Sequence, residues 1–237
     1  MNINEILTKI EYTKERSAKE LFGWFTLKNE ELRAWSGEHP KIKHRELSKG
    51  LPDKFLHELT PFAYYAKTYY CNKTKVRFKP CCGSEQYDGI IIDNGNEVFV
   101  EITEAKFGNE WAIQKEVHAE TGIAPWEYSI LGVNKKNRAK KKQLAIDMII
   151  GNEIEDSPAE GCICKLVEEL VKKRVEDKRT KKYGQNKTIL IVTFDETGFS
   201  KKDWDDFVDF KQAEIDSMEH NFRKIILFGW LDKKFIS

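Results

Sequence analysis

Two carboxylates set in apolar runs are the residues of this chain best placed to do chemistry. Asp88 stands in Tyr87-Asp88-Gly89-Ile90-Ile91-Ile92, and Glu101 in Val98-Phe99-Val100-Glu101-Ile102-Thr103. A carboxylate flanked by Val100 and Ile102 is costly to bury as an ion unless it is paired or bound to metal. Both runs read as strands, joined by Asp93-Asn94-Gly95-Asn96, whose Asn-Gly step signals a hairpin. A hairpin brings Asp88 and Glu101 together, because paired strands run about 4.8 Å apart. Two carboxylates plus a strand carbonyl form a hard oxygen site suited to Mg²⁺. The matching chemistry is metal-assisted phosphodiester hydrolysis, in which the ion polarises the phosphate and activates a water. The plainer alternative is Asp-Gly turn chemistry, a strand glutamate facing water and Thr103 as an ordinary β former.

The elements that must hold these residues follow from periodicity. Ile3 to about Leu27 carries helical apolar spacing interrupted near Thr13, and the polar stretch from Ser36 to Lys49 reads as a loop. Leu51-Pro52-Asp53 opens a helix through Tyr70, kinked or broken at Pro61. Tyr64, Tyr65, Tyr69 and Tyr70 crowd its second half, where they either pack against neighbouring helices or stack on bases. Strands follow over Val76-Arg77-Phe78, Gln86 to Asp93 and Glu97 to Thr103; helices follow at Trp111 to Glu120, Lys135 to Ile150 and Pro158 to Arg179. Thr188 to Phe194 is continuously apolar, the pattern of a fully buried central strand. A helix from Lys201 to Met218 and a strand from Lys224 to Trp230 close the chain. The expectation is an α/β fold over residues 51–237, a mixed central sheet flanked by helices, with residues 1–50 as an N-terminal helical extension.

This order of elements, with Asp88 and Glu101 on successive strands, resembles the restriction-endonuclease-like, or PD-(D/E)xK, nuclease superfamily from about Asp53 to Trp230. The resemblance implies that Asp88 and Glu101 bind a divalent metal, Mg²⁺ or Mn²⁺, with Glu58 of the preceding helix as a third acid. It also implies a lysine two residues after the glutamate, on the same strand face. Here that position is Thr103, which can hydrogen-bond but carries no charge. Lys106, in Glu104-Ala105-Lys106, and Lys115 of the next helix are the substitutes, and Gln114 is a further residue able to point into such a site. The implied activity is hydrolysis of DNA, with RNA as the other possible substrate. The alternative is a catalytically inactive nuclease-like module that binds nucleic acid or a protein partner.

Charge fits either outcome. Forty basic and 39 acidic residues leave +1, which excludes a uniformly basic coat protein. The balance is a cancellation, however. Lys135, Lys136, Arg138, Lys140, Lys141 and Lys142 form one basic cluster, and Lys172-Lys173-Arg174 with Lys178, Arg179, Lys181 and Lys182 a second. Asp203, Asp205, Asp206 and Asp209 make the C-terminal helix acidic. The basic clusters can neutralise phosphates, or simply be solvated helix faces. Tyr183 follows Lys181-Lys182 in a basic-aromatic segment similar to one found in several nuclease-like proteins.

Other templates fail. There is no G-x-S-x-G elbow, Walker loop or G-x-G-x-x-G, and the five histidines share no metal-ligand spacing. Cys81-Cys82 and Cys162-x-Cys164 lack the usual spacing of zinc thiolates and read as buried or incidental thiols. Without a basic-then-apolar leader or a membrane-length apolar run, the expected location is cytoplasmic, with no membrane partner. The N-terminal helical segment offers a surface for a protein partner or homodimer.

Overall fold

Seven strands make one mixed sheet among the described residues: β1 (Arg16–Ser17), β2 (Arg77–Pro80), β3 (Gly89–Asp93), β4 (Asn96–Glu104), β5 (Thr188–Phe194), β6 (Lys224–Gly229) and β7 (Phe235–Ile236). They come from a computed structural model that describes residues 3–38, 46–83, 85–106, 113, 116–117, 120–121, 138–151, 162–181, 183 and 186–237. Spatial order follows chain order. β1 to β4 form an antiparallel meander, β4, β5 and β6 run parallel, and β7 returns antiparallel on β6. All seven residues of β5 are buried, as expected for a strand with parallel neighbours on both sides. The α/β class and the mixed sheet flanked by helices match the sequence reading.

The chain divides into two compact units, residues 1–105 with 167–237, and residues 106–166. The sheet and its main core belong to the first. There α1 (Ala18–Glu38) packs on the long helix that follows, Phe22 edge-on to Tyr64 at 5.2 Å and Phe25 stacked on Phe55 at 5.4 Å. Sequence reading set residues 1–50 apart as an appended element. Residues 3–38 instead share this core: Ile3, Ile6, Leu7, Leu21, Phe25, Leu32 and Trp35 are buried in it. The interruption near Thr13 is the turn into β1, which pairs with β2. Little of that apolar stripe is left for a partner, although Ile10 and Leu27 are exposed.

Pro61 does not break the helix it occupies. α2 (Gly50–Lys54) passes through one π-turn (Phe55–Leu59) into α3 (Thr60–Tyr70). Proline lacks an amide hydrogen and its ring crowds the carbonyl four residues back. The turn widens accordingly, and the Thr60 amide donates to the Phe55 carbonyl five residues earlier. Such turns displace side chains from the regular helical register and recur at functional sites. This one carries His57 and Glu58. The tyrosines of α3 are packed inward: Tyr65 lies against Tyr69, Tyr70 and Phe235, and Tyr70 against Phe78.

In the second unit α4 (Arg138–Gly151) contributes Ala145 to a small cluster with Ile113 and Val117. α5 (Cys162–Arg179) and α6 (Lys201–Phe210) lie between β4 and β5 and between β5 and β6 in the chain, the crossovers that parallel pairing requires. α6 starts with a capping box in which Ser200 and Asp203 satisfy each other's amides.

Gly89, next to Asp88, is required for a close approach. A Cβ there would stand 2.7 Å from the ring of Phe62, itself fully buried. Gly89→Ala should therefore lower the unfolding free energy by about 1–3 kcal/mol, read from urea denaturation. An unchanged midpoint contradicts this packing.

Candidate functional site

Backbone pairing alone brings the two carboxylates together. Asp88 precedes β3, its amide donates to the Val100 carbonyl at 2.9 Å and its carbonyl accepts from the Cys81 amide at 2.9 Å. Its side chain accepts the Ile102 amide at 2.7 Å. Asp88 is thus tied to β4 on both sides of Glu101. Val100 and Ile102 turn into the main core, so strand alternation sends Glu101 to the opposite face. Glu101 is only 7% exposed. On that face one of its oxygens, Oε1, accepts hydrogen bonds from Tyr183 Oη at 3.0 Å and from Lys178 Nζ, near the end of α5. Burial and the Glu101 charge hold the Tyr183 phenol well above its usual pKa, so it remains a donor.

The third acid comes from the π-turn. Glu58 accepts from Lys54 Nζ at 3.0 Å, a pair spaced i,i+4. Burial raises the Glu58 pKa against the opposing pull of Lys54. Burial works against the Lys54 charge as well, but the bond to Glu58 together with the charges of Glu58 and Asp88 outweighs it and the ammonium pKa is raised. Asp88 is the most perturbed acid, pushed up to about 7 by burial, then by the charges of Glu58 and Glu101. With all three acids ionised against two lysines, the cluster would carry a formal charge of −1. His57, beside Glu58, lies between Asp53 at 3.7 Å and Glu104 at 3.5 Å.

Carboxylate oxygens are the donor type that a hard dication takes. Three carboxylates supply only oxygen, and the charges of Glu58 and Glu101, which add to burial in raising the Asp88 pKa, are what a divalent cation would relieve. Burial, then the charges of Glu58 and Asp88, hold the pKa of the buried Tyr12 phenol well above its usual value. The geometry is not that of a formed metal cage. Among the described residues no group of three or more His, Cys, Asp or Glu side chains is arranged to hold a metal ion. Lys54 and Lys178 supply the counter-charge to Glu58 and Glu101.

Of the residues singled out in the sequence, Asp88 is brought near both Glu58 and Glu101. Thr103 shares the Glu101 face of β4, and its carbonyl accepts from the Thr193 hydroxyl at 3.5 Å. Lys106, Arg138, Lys140 and Lys141 belong to the second unit. There Arg138 pairs with Glu116, while Lys140 and Lys141 make no ion pair with any described residue. Lys181 is exposed just beyond α5. Lys115, Gln114, Lys135, Lys136 and Lys182 lie outside the described residues. Cys71, Cys81, Cys82 and Cys164 are free thiols, and burial, then Glu85, pushes Cys81 up to about 11.

Two cations were missed as site residues. Lys54 was detectable, since its spacing to Glu58 is that of a helical ion pair. Lys178 was visible only as part of a basic cluster; 77 residues separate it from Glu101.

No family model, curated protein or solved structure matches this chain. Among the described residues no helix is long and apolar enough to cross a membrane.

The Asp88 shift has a consequence for stability. Its ordinary pKa is 3.8 and its folded value about 7, so between those limits the folded state holds a proton that the unfolded chain has released. Unfolding free energy must then fall as pH rises through that window, by up to about 1.4 kcal/mol per pH unit for one proton. In chelator-containing buffer Asp88→Asn should flatten this slope and exceed the parent protein in stability above the window. Denaturation midpoints measured across pH check it; an unchanged slope in the variant contradicts the assignment.

Proposed function

We propose that this chain is a divalent-metal-dependent nuclease of the PD-(D/E)xK type that hydrolyses phosphodiester bonds in DNA. Asp88 and Glu101 serve as metal ligands, Glu58 as the third acid, and Lys178 takes the role that Thr103 leaves open. The observation that carries the reading is the Lys178 ammonium on Glu101, across from an Asp88 fixed to the same strand. A lysine contributed by α5 gives the site the charge that the strand itself lacks. The element order supports it too, with an acid-bearing helix, three antiparallel strands and then parallel β5 and β6.

The cation, Mg²⁺ or Mn²⁺, supplies phosphate polarisation and an activated water when bound. The chain's own groups do the rest. The Ile102 amide fixes the Asp88 carboxylate, and the Tyr183 hydroxyl holds one oxygen of Glu101 in place. Asp88 and Glu101 would hold the cation, and Lys178, paired with Glu101, would supply positive charge beside the attacked phosphate. Lys54, paired with Glu58, would offer a second positive contact. Lys181 and Arg179, exposed beside Lys178, extend the cationic surface for the flanking phosphates.

One observation favours the inactive-module alternative: the lysines, rather than an open donor set, meet Glu58 and Glu101. A cleavage assay on linear duplex and single-stranded DNA separates the two. The protein should cut with Mg²⁺ or Mn²⁺ and stop with chelator, and Asp88→Ala and Lys178→Met should each reduce the rate by about 100-fold or more. Binding with a steep salt dependence but no metal-dependent cleavage would sink the catalytic reading in favour of the module.

A further inference from the structure

The β3–β4 hairpin, the end of α3 and the starts of β5 and β6 line an open cavity of about 620 Å³ that the proposed chemistry does not use. Small-molecule sites have this size, about 300–1,000 Å³. Ile91, Val98 and Tyr70 give it an apolar wall. Ile91 belongs to the main core, and Val98 and Tyr70 pack against that core. The cavity therefore lies on the core face of the sheet, at the end where parallel β5 and β6 begin. Glu101 stands further along β4 and on the opposite face, so the two places are separate.

Two cations stand at one side. Lys187 and Arg223 both line the cavity, and neither makes an ion pair with any described residue. Backbone bonds hold them side by side. The Lys187 carbonyl accepts from the Phe99 amide at 2.9 Å, the Arg223 amide donates to the Thr188 carbonyl at 2.8 Å, and the Asn186 amide donates to the Asn221 carbonyl at 3.0 Å. At the other side, strand alternation sets Asp93 and Asn96 on the face of Ile91 and Val98. Asp93 Oδ1 accepts from Asn94 Nδ2 at 2.9 Å, which leaves Oδ2 as an acceptor. Glu97 lines the cavity too, but alternation turns its side chain to the far face.

The cavity is thus polarised, with positive charge by β5 and β6, acceptors on the hairpin and an apolar wall between them. Two unpaired cations match the two charges of a phosphomonoester better than the single charge of a carboxylate, and a guanidinium forks onto two phosphate oxygens. Free phosphate would leave the wall and the acceptors unused. A ring carrying hydroxyl or amino donors meets both.

We propose that this cavity binds a nucleoside monophosphate, with its phosphate on Lys187 and Arg223, its sugar or base donors on Asp93 and Asn96, and its apolar surface against Ile91, Val98 and Tyr70. The assignment stands apart from the metal-dependent reading, because it uses none of that site's acids or lysines.

Titration calorimetry of the full chain in chelator-containing buffer tests it, with the 5′-monophosphates of adenosine, guanosine, cytidine and uridine and with inorganic phosphate. At least one nucleotide should bind with a Kd below about 1 mM, and Lys187→Gln and Arg223→Gln should each weaken it by about tenfold or more. Both side chains are exposed, so the variants should keep the parent's melting temperature. Binding that survives both substitutions puts the nucleotide elsewhere and overturns the proposal. Inorganic phosphate binding as tightly as every nucleotide, or no binding by any of the four, overturns it as well. None of these results bears on the metal-dependent reading.

Discussion

The short bond from the Ile102 amide to the Asp88 carboxylate is the constraint on which the site depends. It fixes a buried acid against β4 one residue beyond Glu101, and so forces two carboxylates into one neighbourhood. A sheet built only for stability has no reason to do this, because each buried ion costs several kcal/mol of desolvation. The fold tolerates the pair through specific cations. Lys178 reaches Glu101 from α5, and Lys54 reaches Glu58 from one turn back on the same helix. Asp88 makes no ion pair with a lysine among the described residues, and burial, then the charges of Glu58 and Glu101, raise its pKa.

The surrounding architecture is organised around delivering those groups. The antiparallel β3–β4 pair sets the register of Asp88 against Glu101, and Gly89 lets Phe62 press on the strand beside it. Pro61 widens the helix into the π-turn that carries Glu58. Parallel pairing of β4 with β5 demands a crossover, and α5, lying within it, brings Lys178 to the buried face of β4. The N-terminal segment adds β1 at one sheet edge. Local irregularities that look like defects in sequence, at Thr13 and Pro61, thus fall where the site needs a change of direction.

Much of this was legible in the residues. The periods of the Asp88 and Glu101 strands and the Asn-Gly turn between them define the hairpin, because period and turn chemistry are local. The uninterrupted apolar run of β5 likewise predicts its central place. What stayed hidden is non-local. Nothing near Thr103 reveals that a charge 75 positions later can serve the same face, since i,i+4 reasoning ends with one helix and sheet reasoning with one ladder. β1 and β7, two residues each, are too short to show a period at all. The burial of residues 3–38 was concealed because an amphipathic helix carries the same stripe whether its own chain or another covers it.

The proposed catalytic role requires Lys178 to do from the helix what a strand lysine would do from position 103. Transplanting the charge tests that directly, by comparing single-turnover DNA cleavage rates with Mg²⁺ for the parent protein, Lys178→Met, and Lys178→Met combined with Thr103→Lys. The single substitution should lower the rate by about 100-fold or more and the second should restore a substantial part of it, because Thr103 and Glu101 share one face of β4. Full activity in Lys178→Met, or no recovery in a double variant that folds and binds Mg²⁺ normally, would contradict it.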